Sequence, residues 1–174
     1  PKDAMRINVD EMQKNEAISL LRTGLSLNHE EELAALAEQV GHWPLLLCLA
    51  NGYLRERIEN LGQSVDKALL SLSHELKYIG ITALDASDAI ARDQAAKVSL
   101  DLSLGLLSDD EVNRYQKFAV FSEDVNIPFE ALQKIWGETE IIVQRLCVRF
   151  ASLSLLQNID LINRSVQLHD VIRD

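Results

Sequence analysis

Residues 45–50 read Leu-Leu-Leu-Cys-Leu-Ala, and this run constrains the fold more than any other stretch. Pro44 stands directly before it, where proline is best tolerated in a helix, and Gly41 is placed to end the helix before that. A helix that is apolar all round has to be covered all round. Residues 44–59 are therefore expected as a central helix whose first two turns are buried and whose second half, Arg55-Glu56-Arg57, is solvated.

The covering helices can be read on either side. Residues 13–25 place Ala17, Leu20, Leu21 and Gly24 on one face. Residues 29–40 place Leu33, Leu36, Ala37 and Val40 at the spacing of an amphipathic helix. Asn28 with Glu31 three residues on reads as a capping box for it, and Glu30-Glu31-Glu32 as its solvated first turn. A fourth helix starts near Ser64, with Val65, Ala68, Leu69 and Leu72 on one face. Short helices with short connections make a compact bundle.

Residues 73–92 lose a clear period. Beyond them a fifth helix is expected over residues 93–106. Ser108 and Glu111 form a second capping box, opening a sixth helix with Val112, Tyr115 and Ala119 inward and Phe118 and Phe121 at its end. Pro128 opens a seventh, with Phe129, Leu132, Ile135 and Trp136 inward, and Gly137 stops it. The eighth, residues 139–151, carries Ile142, Leu146 and Phe150. After that the period shortens: residues 153–157 and 165–168 read as strands joined through 158–164, with Asn163-Arg164 in the turn. Three helices followed by a hairpin is the order of a winged helix. The expected fold is mainly α: a four-helix bundle over residues 1–80, a link over 81–92, and a winged-helix domain with a small β-hairpin over 93–174. The last helix starts at the end of the chain, and position 1 is not Met, so a fragment of a longer protein is expected.

Charge narrows the function. With 17 basic and 27 acidic residues the formal net charge is −10, spread evenly over both halves, and an acidic surface repels a phosphate backbone. Nucleic acid is therefore not an expected partner. No apolar run approaches the roughly 20 residues that span a bilayer, and no signal peptide opens the chain, so neither a membrane nor a secreted location is expected. Cys48 and Cys147 lie in apolar runs and are expected as buried reduced thiols, in keeping with a cytoplasmic protein. His29, His42, His74 and His169 lie far apart, with no HExxH and no C-x-x-C, so no metal site is expected.

Three short motifs remain. The first is Gly41-His42-Trp43-Pro44-Leu45. The second is Phe118-Ala119-Val120-Phe121, running on to Ile127-Pro128. The third is Leu168-His169-Asp170. A histidine between a strand and an acidic helix start is well placed to donate a ring N–H to a phosphate. In this order and spacing the three motifs resemble those of the NB-ARC module of STAND-class P-loop ATPases, the family of apoptotic protease-activating factors and plant resistance proteins. That module has a nucleotide-binding domain, a helical domain and a winged helix, and the resemblance covers the last two. No G-x-x-x-x-G-K-[ST] occurs and the Asp cluster that holds Mg²⁺ is missing, so this chain is not expected to hydrolyse ATP.

The resemblance implies roles for individual residues. Pro44 would pack on the adenine face of ADP or ATP. His169 would contact the ADP β-phosphate and hold the winged helix onto the nucleotide domain. Both positions also have plain readings, Pro44 as a helix-opening proline and His169 as a surface histidine beside a helix. Trp43 stands where the family has a small residue, and either stacks on the base or fills the core. Ser154 aligns with a serine that faces the nucleotide in some relatives, and otherwise reads as a strand-edge serine. Asp170 would cap the final helix. The implied partners are the chain's own P-loop domain, further copies on activation, and unidentified effector and sensor domains. Two other classes stay open: a winged-helix DNA-binding transcription regulator using Arg145 and Arg149 on the helix before the hairpin, and a helical protein-interaction module without nucleotide.

Overall fold

The computed structural model describes residues 12–26, 28–78, 80, 81, 84, 89–122 and 125–168. Eight α-helices and a small sheet are seen among them: α1 (Lys14–Arg22), α2 (Glu30–Gln39), α3 (Pro44–Arg55), α4 (Val65–Tyr78), α5 (Ala89–Leu104), α6 (Asp109–Gln116), β1 (Ile127–Pro128), α7 (Phe129–Trp136), α8 (Glu140–Ser152), β2 (Asn158–Asp160) and β3 (Ser165–Gln167). The fold is mainly α with a small antiparallel sheet, as the hydrophobic periods predict.

The central helix is α3. Leu45, Leu46, Leu47, Leu49, Ala50, Tyr53 and Leu54 are all buried on it. It packs against α1, α4 and α5, which is how an all-round apolar helix removes its surface from water. Past Arg55 the helix continues as one π-turn, Glu56–Asn60. Here the expectation of a solvated second half fails, because Glu56 is only 8% exposed.

In the second half, α6, β1, α7, α8, β2 and β3 follow one another, and the sheet order is β1-β3-β2, antiparallel throughout. Val166 sits at its centre, opposite Ile127 on one side and Ile159 on the other. The same half holds an aromatic cluster in edge-to-face contact: Tyr115, Phe118, Trp136 and Phe150, with centroids 5.3–6.2 Å apart. Such pairs favour this geometry because a ring's positive edge meets a negative face. The buried apolar residues of both halves, from Ala17 to Val166, form one continuous core.

Several local expectations are corrected. The first strand of the expected hairpin does not lie at residues 153–157: Leu153, Leu155 and Leu156 fold inward as a turn after α8, and β2 begins at Asn158. Pro128 does open α7, as its N-cap, and at the same time closes β1, an edge strand, where a missing N–H removes no ladder bond. Ala119 faces solvent and Phe118 faces the core, because α6 gives way to a 3₁₀ turn, Lys117–Val120, whose period of three puts Phe118 beneath Tyr115. No side chain caps α2: His29 occupies the N-cap position with φ −107° and ψ 58°, so the box expected from Asn28 and Glu31 does not form. The Ser108–Glu111 box does form.

Candidate functional site

Pro44 opens α3, and the turn before it is tightly built. At the end of α2 the amide of His42 donates to Ala37 O (2.9 Å) and that of Gly41 to Glu38 O (3.1 Å), the double closure of a Schellman turn. Gly41 is left-handed (φ 63°), and a Cβ there would lie 2.3 Å from the carbonyl oxygen of Leu84. His42 is left-handed too (φ 51°). Buried Gln39 holds the base of this turn, donating to Ile81 O (2.7 Å) and to Ser73 O (3.3 Å) while accepting from the Ser73 hydroxyl (3.0 Å). The outcome is a fixed platform on which Trp43 and Pro44 are each partly exposed. Trp43 packs on the core with part of its surface. No side chain caps α3, so its N-terminal dipole is open to an anion.

Ser154 sits in a second turn of the same kind. Its amide donates to Ala151 O and that of Leu155 to Phe150 O, each at 3.0 Å, with Ser154 left-handed at φ 57°. It is thus the residue after the C-cap of α8, a place usually held by glycine, and not a strand-edge serine. Leu153, just before it, lies on Gly52 of α3: a Cβ on Gly52 would meet the Leu153 carbonyl carbon at 2.8 Å. Gly52 is eight residues beyond Pro44, an axial offset of about 12 Å. The amide of Gln157 donates to Gln167 O (2.9 Å), so the end of β3 returns beside the segment that follows Ser154. His169 and Asp170 lie just past that point, outside the described residues. Trp43 and Pro44 thus share one end of α3, while Leu153, the neighbour of Ser154, lies on α3 two turns further along. Among the described residues no hydrogen bond joins the two groups.

Between the halves lies an ion pair that no local pattern of residues predicts. Arg149 on α8 donates through both terminal nitrogens to the two carboxylate oxygens of Glu56, with Nη2 to Oε1 at 2.8 Å, and Nη2 also donates to Leu106 O at 3.1 Å. Asn60 adds a bond to Glu56 at 2.5 Å. The Arg149 guanidinium holds the Glu56 carboxyl below its ordinary range against the opposing effect of burial. Glu56 stands between Arg55 and Arg57 in sequence, the pattern of a solvated turn, and only its contact with Arg149 reveals its role.

On α8 the outward residues are Ile141 (80% exposed), Gln144, Arg145 and Val148. Glu140, at the start of that helix, binds Arg164 of the turn between β2 and β3 at 2.5 Å. Burial raises both thiols, Cys147 to about 12. Among the described residues no three His, Cys, Asp or Glu side chains converge as a metal site would require, and no helix is long and apolar enough to cross a membrane. No known protein family matches this chain, and no curated protein matches it.

Proposed function

We propose that this chain is the helical and winged-helix portion of a STAND-type nucleotide switch, similar to NB-ARC, and acts by docking onto a P-loop nucleotide-binding domain rather than by catalysis. The observation that carries this reading is architectural. A set of helices and a later array of helices with a small sheet share one core, with the partly exposed Trp43–Pro44 platform at one end of α3 and Leu153, next to Ser154, lying on Gly52 of that same helix. In this reading Pro44 packs on adenine and the His169 ring donates to the β-phosphate of ADP. One charge-assisted hydrogen bond, about 1.5–3 kcal/mol, biases such a switch by roughly ten- to hundredfold. With ADP the cytoplasmic protein is held closed. Exchange for ATP frees the docked face for self-association and for effector and sensor partners.

The DNA-binding alternative draws no support from α8. Of its two arginines, Arg149 is committed to Glu56 inside the protein. That leaves Arg145 among Ile141, Val148 and Glu140, a poor match to a phosphate backbone.

The test is to purify the protein with its P-loop domain, denature it, and identify the released nucleotide by chromatography. Stoichiometric ADP in the wild type and less ADP in His169→Ala is the expected result, with raised basal activity in the variant. Wild-type protein carrying no nucleotide would remove the mechanism and leave the interaction-module reading in its place.

A further inference from the structure

Helices α2 and α4 run side by side in the same direction. His29 at the start of α2 meets Asp66 at the start of α4 (Nε2 to Oδ1, 3.0 Å), and Gln39 at the end of α2 meets Ser73 in the third turn of α4. Between them lies an open groove of about 590 Å³. Buried Leu36 and Leu69 form its floor, and Ala35 and Leu70 open onto its lip, Leu70 being 57% exposed. A single exposed leucine is ordinary on a protein surface. One that extends the apolar floor of a concave channel is a contact waiting for a partner.

The rim gives that partner its charge. Glu32 and Glu38 project from α2 and Asp66 from α4, against one cation, Lys77, on the far side of Ser73. Glu38 is shared with Lys14 and Asp66 with His29 in exposed pairs, which hold little energy and exchange readily. Glu32 has no ion-pair partner among the described residues. An acidic rim rules against nucleic acid and against an anionic membrane. Its complement is a basic segment with an apolar stripe. The ten residues of α2 make the groove about 15 Å long, the length of three turns of a helix.

We propose that the α2–α4 groove is a docking site for a basic amphipathic helix of a protein partner, which lays an i, i+3/i+4, i+7 apolar stripe over Leu36, Leu69 and Leu70 and directs its cations to Glu32 and Asp66. The site uses none of the residues assigned to the nucleotide, so it stands or falls apart from that reading.

The probe is a fluorescently labelled synthetic peptide of about 14 residues, with leucines on one face and lysines flanking them, titrated into the 174-residue chain and followed by anisotropy. Wild-type protein should bind it saturably. Leu70→Asp and Glu32→Lys should each weaken binding about tenfold or more, with unchanged circular dichroism, since both positions are exposed. A peptide with the same leucines but glutamates in place of lysines should bind far more weakly. Absence of saturable binding, equal binding by both variants and wild type, or equal binding of the acidic peptide would each overturn the proposal. So would sedimentation showing a self-associated chain that Leu70→Asp makes monomeric, because a second copy would then fill the groove.

Discussion

Arg149 grips Glu56 with both ends of its guanidinium and passes a further bond to the Leu106 carbonyl, joining α8 to the end of α3 across 93 residues of sequence. Glu56 is nearly buried, so removing its partner leaves a carboxylate that water cannot reach. Arg149→Leu should cost about 3 kcal/mol, while replacing both residues by apolar ones should recover much of the loss. Urea denaturation of Arg149→Leu, Glu56→Leu and the double variant measures this directly.

The same pair gives stability a pH dependence. The Glu56 carboxyl titrates below its ordinary range in the folded chain. Its contribution is therefore complete above the unfolded value of about 4.3 and is lost as pH falls through the lower folded value. Melting temperatures taken across this acidic range should fall less steeply in Glu56→Gln than in the wild type. Parallel curves would mean that other carboxylates govern the acid limb.

Gly52 sets two effects against each other. In mid-helix, alanine is favoured over glycine by about 1 kcal/mol. Here the added methyl would press into the Leu153 backbone at 2.8–3.0 Å, an overpacking of the kind that costs about 1–3 kcal/mol. Gly52→Ala should destabilise the protein, and a stabilised variant in thermal denaturation would show that the two halves do not meet this closely.

Helix ends offer a paired test. Ser154→Gly should stabilise by about 1 kcal/mol, since it relieves a left-handed side-chain residue. Ser108→Ala should destabilise by about 1 kcal/mol through loss of a hydroxyl cap. If Ser154→Gly also lowers the amount of nucleotide released in the test of the proposed function, the left-handed serine has a binding role beside its structural one.

Both thiols should resist alkylation at neutral pH. Cys147 is fully buried and its thiol is pushed up to about 12, while Cys48 is half-buried and also raised. Thiol titration should give a slow reaction at Cys48, a slower one at Cys147, and two equivalents only after denaturation. Rapid labelling of Cys147 would place α8 outside the core.

Much of the fold could be read from short-range pattern. The apolar run at residues 45–50, the proline before it and the glycine at 41 each state a local requirement, and the structure meets all three except at Cys48, which is half-buried where full burial was expected. Ser108 and Glu111 lie three residues apart and close the box that their spacing predicts. Errors arise where the outcome depends on what packs from afar. Asn28 has the chemistry of a cap, yet the turn presents His29 instead, tied to Asp66 on α4. Residues 153–157 read like a strand, but Leu155 and Leu156 are buried in the core in the turn after α8, and the strand starts later. Glu56 sits between two arginines, and only its contact with Arg149 reveals that it is buried. For the candidate site, Pro44 was legible because proline at the head of a helix is a local rule. The α2–α4 groove was not, since it arises from two helices separated by α3.

Gly52 and Leu153 touch backbone to backbone, and that contact has mechanical meaning. Sliding α8 along α3 would drive the Leu153 carbonyl into side chains on either side of the glycine, and lifting it away would strip the cover from Glu56. Pulling α8 away from α3 therefore requires breaking the Arg149–Glu56 pair together with the Leu153–Gly52 contact, so the two act as a single clasp.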